Sequence, residues 1–349
     1  MSARRLAPTL AAASLALAYV LASPATQDLA AHLFRARLFD AEGFGIWNDW
    51  WYSGHNTVGY SFLFPPVAAL LTPQLAAGVA ATATAALFED LAHRHFGDDA
   101  WLGALLFGAA TAIDLFTGRL TFAFGALPAI SAVLALDHER VSLAGLLAVL
   151  SALCSPVAAL FCALAATGYA VGAAASGCRS RPASRPRLAS RPPWNPTLGS
   201  AAGPLAVAVA AMGPVLALAV AFPEGGTEPF AFSTLWPIPA LVILALATVP
   251  REQVGLRAGA ALYGAGTLVA YLIPSPLGSN VARLGPLVAA QAGVAEIAHP
   301  DRVVALFRDI GRWREGFAAW KLLFYALWHR RHILGLPPVG DVFETLFSN

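Results

Sequence analysis

The sequence predicts an all-α, polytopic integral membrane protein whose helices cross a bilayer about ten times. Hydrophobic residues make up 58% of the 349 residues and charged residues only 12%, which is about half the charged fraction of an ordinary soluble domain. The apolar residues also form long blocks, such as 6–22, 100–115 and 205–222. Blocks approaching ~20 residues are long enough to cross the hydrocarbon layer as helices.

Ten apolar segments are predicted to span the membrane, so that residues 1–298 form one transmembrane domain. The predicted spans are 6–23, 64–89, 100–116, 120–136, 141–154, 157–176, 201–221, 235–249, 256–273 and 283–298. Only Ser155-Pro156 separates the fifth span from the sixth. Because proline breaks or bends a helix, the two segments form either a tight hairpin or one long kinked helix.

The distribution of arginine predicts that both termini are cytoplasmic. With the N-terminus inside, the cytoplasmic loops contain Arg4, Arg5, Arg94, Arg140, Arg179, Arg181, Arg185, Arg187, Arg191, Arg251 and Arg257. The external loops then contain only Arg35, Arg37, Arg119 and Arg283. This bias follows the positive-inside rule. It favours the hairpin at Ser155-Pro156, because a single span there would place the arginine-rich segment outside.

Two polar segments are predicted on the cytoplasmic side. Residues 177–200 are rich in Arg, Pro and Ser and are expected to be a linker. Residues 299–349 are predicted to form a basic amphipathic tail on the inner leaflet. A formal net charge of +2 gives no reason to expect a nucleic-acid partner; the expected partner is the lipid bilayer. The polar residues that end the second span are expected to be solvated: Glu89, Asp90, His93 and His95.

The first external loop, residues 24–63, begins with a predicted amphipathic helix. Asp28, His32 and Arg35 follow at helical spacing and share one face. The opposite side carries Leu29, Leu33, Phe34 and Leu38. Such a helix is expected to lie in the membrane interface with its apolar side down. Asp28 falls in the first turn, where the helix dipole alone would favour a carboxylate.

The rest of this loop concentrates acids and large aromatic residues. The acids are Asp40, Glu42 and Asp49, followed by His55. The aromatic residues are Trp47, Trp50, Trp51 and Tyr52. Trp and Tyr commonly anchor proteins at the membrane interface, but their faces also stack on sugar rings. Both interpretations remain open from the sequence.

Two charged positions at the ends of spans call for a partner, because charge at membrane depth is costly. Asp114 is expected to pair with Arg119, five residues further on. Arg283 follows a segment of helix breakers, 274–280, and opens the tenth apolar run. The helix dipole disfavours an arginine there. Arg283 therefore either has an anionic partner, a lipid phosphate or an acid of the first loop, or extends to the interface.

Several short motifs together resemble bacterial, in particular actinobacterial, integral-membrane glycosyltransferases of the GT-C superfamily. They are Asp28 and His32 after the first span, Trp51-Tyr52-Ser53-Gly54-His55, Gly59-Tyr60-Ser61, Pro65-Pro66, Gly118-Arg119-Leu120-Thr121-Phe122, Ser155-Pro156 and Pro276-Leu277-Gly278-Ser279-Asn280 with Arg283. The resemblance implies a multi-pass enzyme of the bacterial plasma membrane. It transfers a sugar from a polyprenyl-phosphate donor to an acceptor outside the cytoplasm.

The resemblance also implies roles for individual residues. An acid of the first external loop acts as base or binds a metal, which leaves a divalent metal open as cofactor. Asp28 is the first candidate, and Asp40, Glu42 or Asp49 is the second. Arg283 would hold the donor phosphate. The other implied substrate-binding residues are His32, Trp51, Tyr52, His55, Arg119 and Asn280.

The chain departs from this pattern near His299, where it turns polar although such enzymes usually continue with further spans. Two other classes of protein therefore stay open. Spans interrupted by Gly and Pro, with polar residues such as Asp114, are also typical of transporters. No internal repeat is evident, and the polar residues gather in a loop, which favours the enzyme. The third reading is a non-catalytic membrane protein.

Overall fold

A computed structural model describes residues 3–26, 28–45, 47–48, 57–58, 61–177, 201–221, 226–249 and 251–287. Several sequence predictions lie outside these residues. They concern the segment 178–200 of the linker, the tail 299–349, and the site candidates Asp49, Trp51, Tyr52 and His55.

Helices dominate the described part of the chain, as predicted. They are α1 (Ala3–Ala22), α2 (Leu29–Glu42), α3 (Phe64–Leu71), α4 (Pro73–Phe96), α5 (Trp101–Phe116), α6 (Leu120–Asp137), α7 (Val141–Cys154), α8 (Pro156–Gly177), α9 (Ala202–Ala221), α10 (Phe232–Leu235), α11 (Pro237–Thr248) and α12 (Val254–Leu272). Two 3-10 helices cover Gly97–Ala100 and Gly278–Leu287. Strands β1 (Trp47–Asn48) and β2 (Thr57–Val58) form a short antiparallel pair in the first loop.

Five of the described helices are long and apolar enough to cross a membrane. They are Arg4–Ala22, Pro73–Phe96, Leu120–Asp137, Pro156–Ala175 and Ala202–Ala221. Shorter apolar helices occupy Gly103–Phe116, Val141–Cys154 and Phe232–Ala247. The membrane context predicted from composition is therefore supported, whereas the count of about ten spans is not confirmed. Of the tenth predicted span, residues 283–287 belong to a 3-10 helix and the remainder lies outside the described residues.

The second predicted span is interrupted near its start. Residues 64–89 contain α3 and most of α4, separated at Thr72, which has a positive φ of 80°. Pro73 follows Thr72, lacks a backbone N–H and disfavours helical geometry in the residue before it. The Thr72 hydroxyl accepts a hydrogen bond from the Leu75 N–H at 3.3 Å and so caps α4.

The Ser155-Pro156 dipeptide separates two helices, in agreement with the hairpin interpretation. Ser155 is extended, with φ −160° and ψ 118°, because the following proline excludes helical geometry. Alanines of α7 and α8 then enter the same buried cluster, together with residues of α6 and α9. The contributing alanines are Ala144, Ala148 and Ala152 of α7 and Ala159, Ala163 and Ala166 of α8. The two helices therefore lie side by side.

Small residues allow the helices to approach one another closely. A side chain at Gly168 of α8 would place its Cβ 2.9 Å from the backbone oxygen of Gly255 at the start of α12. A side chain at Gly125 of α6 would lie 2.7 Å from the Ser155 Cβ. Within a membrane, close backbone approach of this kind is a main source of helix association.

The bundle has a polar region at each end. Gln74 at the start of α4 donates a hydrogen bond to the Ser23 hydroxyl, just after α1, at 3.1 Å. Arg5 at the start of α1 pairs with Glu89 near the end of α4 at 3.0 Å. These two helices are therefore antiparallel. We call the end that carries Ser23 and Asp28 the Asp28 face, and the end that carries Arg5 and Asp137 the Asp137 face.

Helix α2 differs from the amphipathic helix that the sequence predicts. Its buried residues occupy two sides: His32 and Ala36 on one, Ala30 and Phe34 on the other. Phe34 and Ala30 cluster with Leu38, whereas Ala36 joins the cluster that contains Tyr19 and Phe64. Because protein covers His32, this face of α2 is packed rather than exposed. The buried residues of α2 therefore lie on two sides of the helix, and protein covers the side that carries His32.

Candidate functional site

The turn between α5 and α6 brings the first loop to the centre of the Asp28 face. Gly118 ends this turn with a φ of +80°, a conformation that suits glycine. Thr26 lies against Gly118 so closely that a Cβ at position 118 would stand 2.8 Å from the Thr26 Cβ. The absence of a side chain at position 118 therefore lets Thr26 and the Asp28 backbone lie against the turn, which places Asp28 close to Arg119.

His32 fixes helix α2 to the same turn. Its Nε2–H donates a hydrogen bond to the backbone oxygen of Gly118 at 3.0 Å, and its ring stands edge-on to Phe64 with centroids 5.3 Å apart. Only 7% of His32 is exposed. Burial is the main reason that the pKa of His32 falls to about 4, and it outweighs the opposing hydrogen bond. The imidazole therefore stays neutral and acts as a structural anchor of the site.

Asp28 stands at the start of α2 among charges from three other segments. Its side chain makes no capping hydrogen bond to the helix. Although Asp28 keeps access to solvent, partial loss of hydration raises the pKa of its carboxyl above the ordinary value. The positive charges of Arg283 and Arg119 oppose this rise, and the negative charge of Glu228 adds to it. Asp28 is therefore an acid surrounded by two arginines and a second acid.

Arg283 is held in position by neighbours on two sides. One guanidinium nitrogen donates to the Asn280 side-chain oxygen one turn earlier in the 3-10 helix. The guanidinium carbon lies 5.8 Å from the centre of the Phe122 ring at the start of α6. Arginine binds phosphate oxygens in bidentate geometry. An arginine orientated in this way, close to an aromatic face, is suited to holding an anionic group.

The Glu228 segment closes the site from the side of α9. The Glu228 N–H donates to the Ser275 oxygen at 3.0 Å, and the Ser279 hydroxyl donates to the Glu228 carboxylate at 3.3 Å. Gly278 has a positive φ of 39°, and any side chain there would overlap the Glu228 backbone. The loop before α10 and the loop after α12 therefore form one unit that carries both Glu228 and Arg283.

Asp114 links the charged cluster to an apolar cavity inside the bundle. Its carboxylate lies 3.9 Å from an Arg119 guanidinium nitrogen, so the predicted local pairing is confirmed. Asp114 is only 6% exposed. It also lines a cavity of about 430 Å³ between α4, α5, α6, α8 and α12. Six aromatic rings line this cavity: Phe88, Phe107, Phe122, Phe161, Tyr169 and Tyr263. Phe122 therefore touches both the cavity and Arg283.

The structure does not bring every predicted candidate into this cluster. Asp40 and Glu42 are exposed and lie near the far end of α2. At 1.5 Å rise per residue, they stand roughly 18–21 Å along the helix axis from Asp28. Neither is therefore a second acid beside Asp28. The cluster that does form consists of Asp28, His32, Asp114, Arg119, Glu228, Asn280 and Arg283.

The described residues do not fit a divalent metal. A metal site needs several oxygen or nitrogen ligands. No group of three or more His, Cys, Asp or Glu side chains gathers within the described part of the chain. Among the described residues, Glu228 is the acid whose charge acts on Asp28, and Asp28 also lies in the field of Arg119 and Arg283, which repel a cation.

Two features of the structure are not evident from the sequence. Glu228 is a single acid in a short loop, and only its contact with residues 275–279 reveals its place. The polar end of α4 was expected to be solvated, yet Glu89 and His95 are each only 7% exposed. Both are buried because they pair with charged partners on the Asp137 face, Arg5 and Asp137 respectively.

Comparison of the chain with protein-family models, with characterised proteins and with solved structures gave no match in any of the three.

We predict that Gly118→Ala destabilises the protein more than Gly97→Ala does. Both glycines have positive φ, +80° and +62°, so both substitutions carry the same kind of backbone strain. A Cβ at Gly118 also collides with Thr26, whereas nothing lies within 4 Å of one at Gly97. The collision adds about 1–3 kcal/mol. Melting temperatures of the two purified variants in detergent measure the difference. Equal melting temperatures would contradict the close contact.

We predict that His32 makes the stability of the protein decrease as the pH falls. The unfolded imidazole has a pKa near 6.5 and the folded one about 4, so the unfolded chain binds more protons between these values. The contribution of His32 is complete above pH 6.5 and is lost progressively toward about pH 4.

Melting curves between about pH 7.5 and 4.5 test this dependence. His32→Gln, which keeps a donor but does not titrate, is expected to flatten the curve. His138→Gln, at an exposed position at the end of α6, is the control and should retain the wild-type slope. A wild-type slope in His32→Gln would show that His32 is not buried in its neutral form.

Proposed function

We propose that this protein is a membrane glycosyltransferase of the GT-C type, which transfers a sugar from a polyprenyl-phosphate donor to an acceptor outside the cytoplasm. The observation that carries the proposal is the convergence of one acid, Asp28, with Arg119 and Arg283 at one end of an apolar cavity. A lipid-linked sugar phosphate fits this arrangement. Its anionic phosphate would bind the arginines, its long apolar chain would enter the cavity, and its sugar would lie near the acid at the surface.

Asp28 is the proposed general base. A base must reach the acceptor hydroxyl from an accessible position, and Asp28 keeps access to solvent at the membrane edge. Its raised pKa makes the carboxylate a better proton acceptor than an ordinary aspartate. The acceptor oxygen attacks the anomeric carbon of the sugar, its proton passes to Asp28, and the bond from the anomeric carbon to the phosphate oxygen breaks.

Arg119 and Arg283 are proposed to bind the phosphate that leaves with the lipid. Positive charges aimed at the leaving oxygen stabilise the charge that develops there. Asn280 positions Arg283 through its hydrogen bond, and Asp114 faces Arg119 at 3.9 Å. The isoprenoid chain would extend past Phe122 into the cavity, whose lining is almost wholly apolar.

The Asp28 face is proposed to be the external face of a bacterial plasma membrane. The opposite, Asp137 face carries the start of α1. It also carries the helix ends with Arg4, Arg5, Arg94 and Arg140. The positive-inside rule then makes that face cytoplasmic, with the start of α1 on it. The donor and the acceptor would meet outside the cytoplasm.

A transporter is the second candidate, and the cavity itself supports it. A cavity of about 430 Å³ inside a helical bundle, with Asp114 in its wall, has the features of a substrate chamber. In that case Asp28 and the arginines would attract solutes at the entrance. Solute flux into proteoliposomes without any sugar donor would favour this function over the transferase.

We predict that Asp28→Asn lowers sugar transfer about 100-fold or more, because a general base contributes at least that factor. Membranes that contain the chain are incubated with radiolabelled polyprenyl-phosphate sugars and an envelope extract as acceptor, and labelled product is counted. Asp40→Asn is the matched control, since Asp40 is exposed on the same helix but distant from the arginines. Wild-type activity in Asp28→Asn, or no product with the wild type from any such donor, would contradict the proposal.

We predict that Arg283→Gln weakens the binding of farnesyl phosphate by roughly tenfold to hundredfold, because a charge-assisted hydrogen bond to the phosphate is lost. Binding is measured by the ligand-dependent rise in melting temperature of the purified protein. Farnesol has the same chain without phosphate and serves as control. If both ligands bind the variant as they bind the wild type, Arg283 does not contact the phosphate.

A further inference from the structure

The Asp137 face contains a hydrogen-bonded network centred on one carboxylate. Asp137, the last residue of α6, accepts hydrogen bonds from the Tyr169 hydroxyl at 3.0 Å and from the Arg94 Nε at 2.9 Å. The His95 Nε2 lies 2.9 Å from the same carboxylate. The partners come from α4 and α8, so Asp137 joins three helices that are otherwise held mainly by small apolar contacts.

The network is largely shielded from solvent. The side chain of His95 is 4% exposed and that of Asp137 is 12% exposed. A carboxylate that is partly removed from water is stabilised by surrounding donors, and three groups surround Asp137 here, of which Arg94 is 39% exposed. On the same face Arg5 pairs with Glu89 and Asp90, which ties α1 to α4. Breaking the Asp137 network would therefore leave a costly uncompensated charge between α4, α6 and α8.

The network lies directly behind one end of the cavity. Tyr169 belongs to both, because its hydroxyl binds Asp137 while the residue also lines the cavity. Tyr169 packs with Leu91 of α4 and Val133 of α6 in one small apolar cluster, and Val133 is a second lining residue. Asp114 and Phe122 line the other end of the cavity, near the Asp28 face. The cavity therefore extends from the site that contains Asp114, Arg119 and Arg283 to the Asp137 network.

We propose that the Asp137 network closes the cavity toward the Asp137 face, so that the cavity communicates with only one side of the membrane, the Asp28 face. Asp137 holds α4, α6 and α8 together through Arg94, His95 and Tyr169, and Tyr169 blocks the passage behind the cavity. This closure does not depend on the proposed transferase activity. A transferase needs it to keep the membrane sealed behind a lipid chain, and a transporter would use it as a gate.

Two native cysteines provide the test. Cys162 lines the cavity, whereas Cys154 is buried at the end of α7 and is not a lining residue. A third, Cys178, is replaced by serine. The full chain is then treated with a membrane-impermeant, charged methanethiosulfonate in two preparations, right-side-out spheroplasts and inverted membrane vesicles. Peptide mass spectrometry measures the modification of Cys162 and Cys154 separately.

In the wild type, Cys162 is expected to react in only one of the two preparations. Asp137→Asn should raise the reaction rate of Cys162 in the other preparation by about tenfold, because the substitution weakens the charge-assisted hydrogen bonds that hold the closure together. Tyr169→Phe keeps the ring but removes its hydroxyl, and a smaller increase is expected. Asp90→Asn breaks a link to Arg5 on the same face but does not touch the cavity, so it should leave the labelling one-sided.

Three results would overturn the proposal. The first is equal labelling of wild-type Cys162 in both preparations, or none in either. The second is one-sided labelling that persists in Asp137→Asn and Tyr169→Phe. The third is a parallel rise at Cys154, which would show general loosening of the bundle. If Asp137→Asn does not accumulate in membranes, Tyr169→Phe alone decides between one-sided and two-sided access.

Discussion

The site depends on the close contact of Thr26 and Asp28 with the turn at Gly118. Two features require this contact. Asp28 reaches Arg119 only if Thr26 settles on the turn, His32 can bind the Gly118 oxygen only if α2 begins there, and both require a residue without a side chain at position 118. A local backbone conformation thereby positions a whole loop, and the loop supplies the acid of the candidate site.

Opposite charges meet at this end of the bundle. Asp28, Asp114 and Glu228 are acids and Arg119 and Arg283 are bases; Asp28 lies within electrostatic reach of both arginines, and Asp114 pairs with Arg119. Charges near a membrane interior are costly unless they are paired or used. Asp114 is the buried acid of this group, and its pairing with Arg119 compensates its charge. Asp28 is exposed and Arg283 is partly exposed, so a ligand can reach both, and for this reason we propose Asp28 as base and Arg283 as a phosphate-binding residue.

Local features were predictable from the sequence, and long-range ones were not. Asp114 and Arg119 are separated by one helix end, so their pairing follows from spacing alone. The break at Ser155 follows from the proline after it. By contrast, the approach of Arg283 to Asp28 depends on tertiary packing, because the 3-10 helix Gly278–Leu287 that carries Arg283 packs against both α5 and α12. The break at Thr72 is absent from the prediction, which places residues 64–89 in one span, and α2 differs from the predicted amphipathic helix because residues on two of its sides are buried. The Asp137 network joins three helices and leaves no local pattern.

The most direct test of the account is an experimental structure of the full chain with farnesyl phosphate bound. The account predicts phosphate density between the guanidinium groups of Arg119 and Arg283, beside Asp28, with the apolar chain passing Phe122 into the cavity. Density for the phosphate at any other place, or a chain that lies outside the bundle while the arginines face away from it, would contradict the central claim that this cluster and this cavity form one lipid-phosphate site.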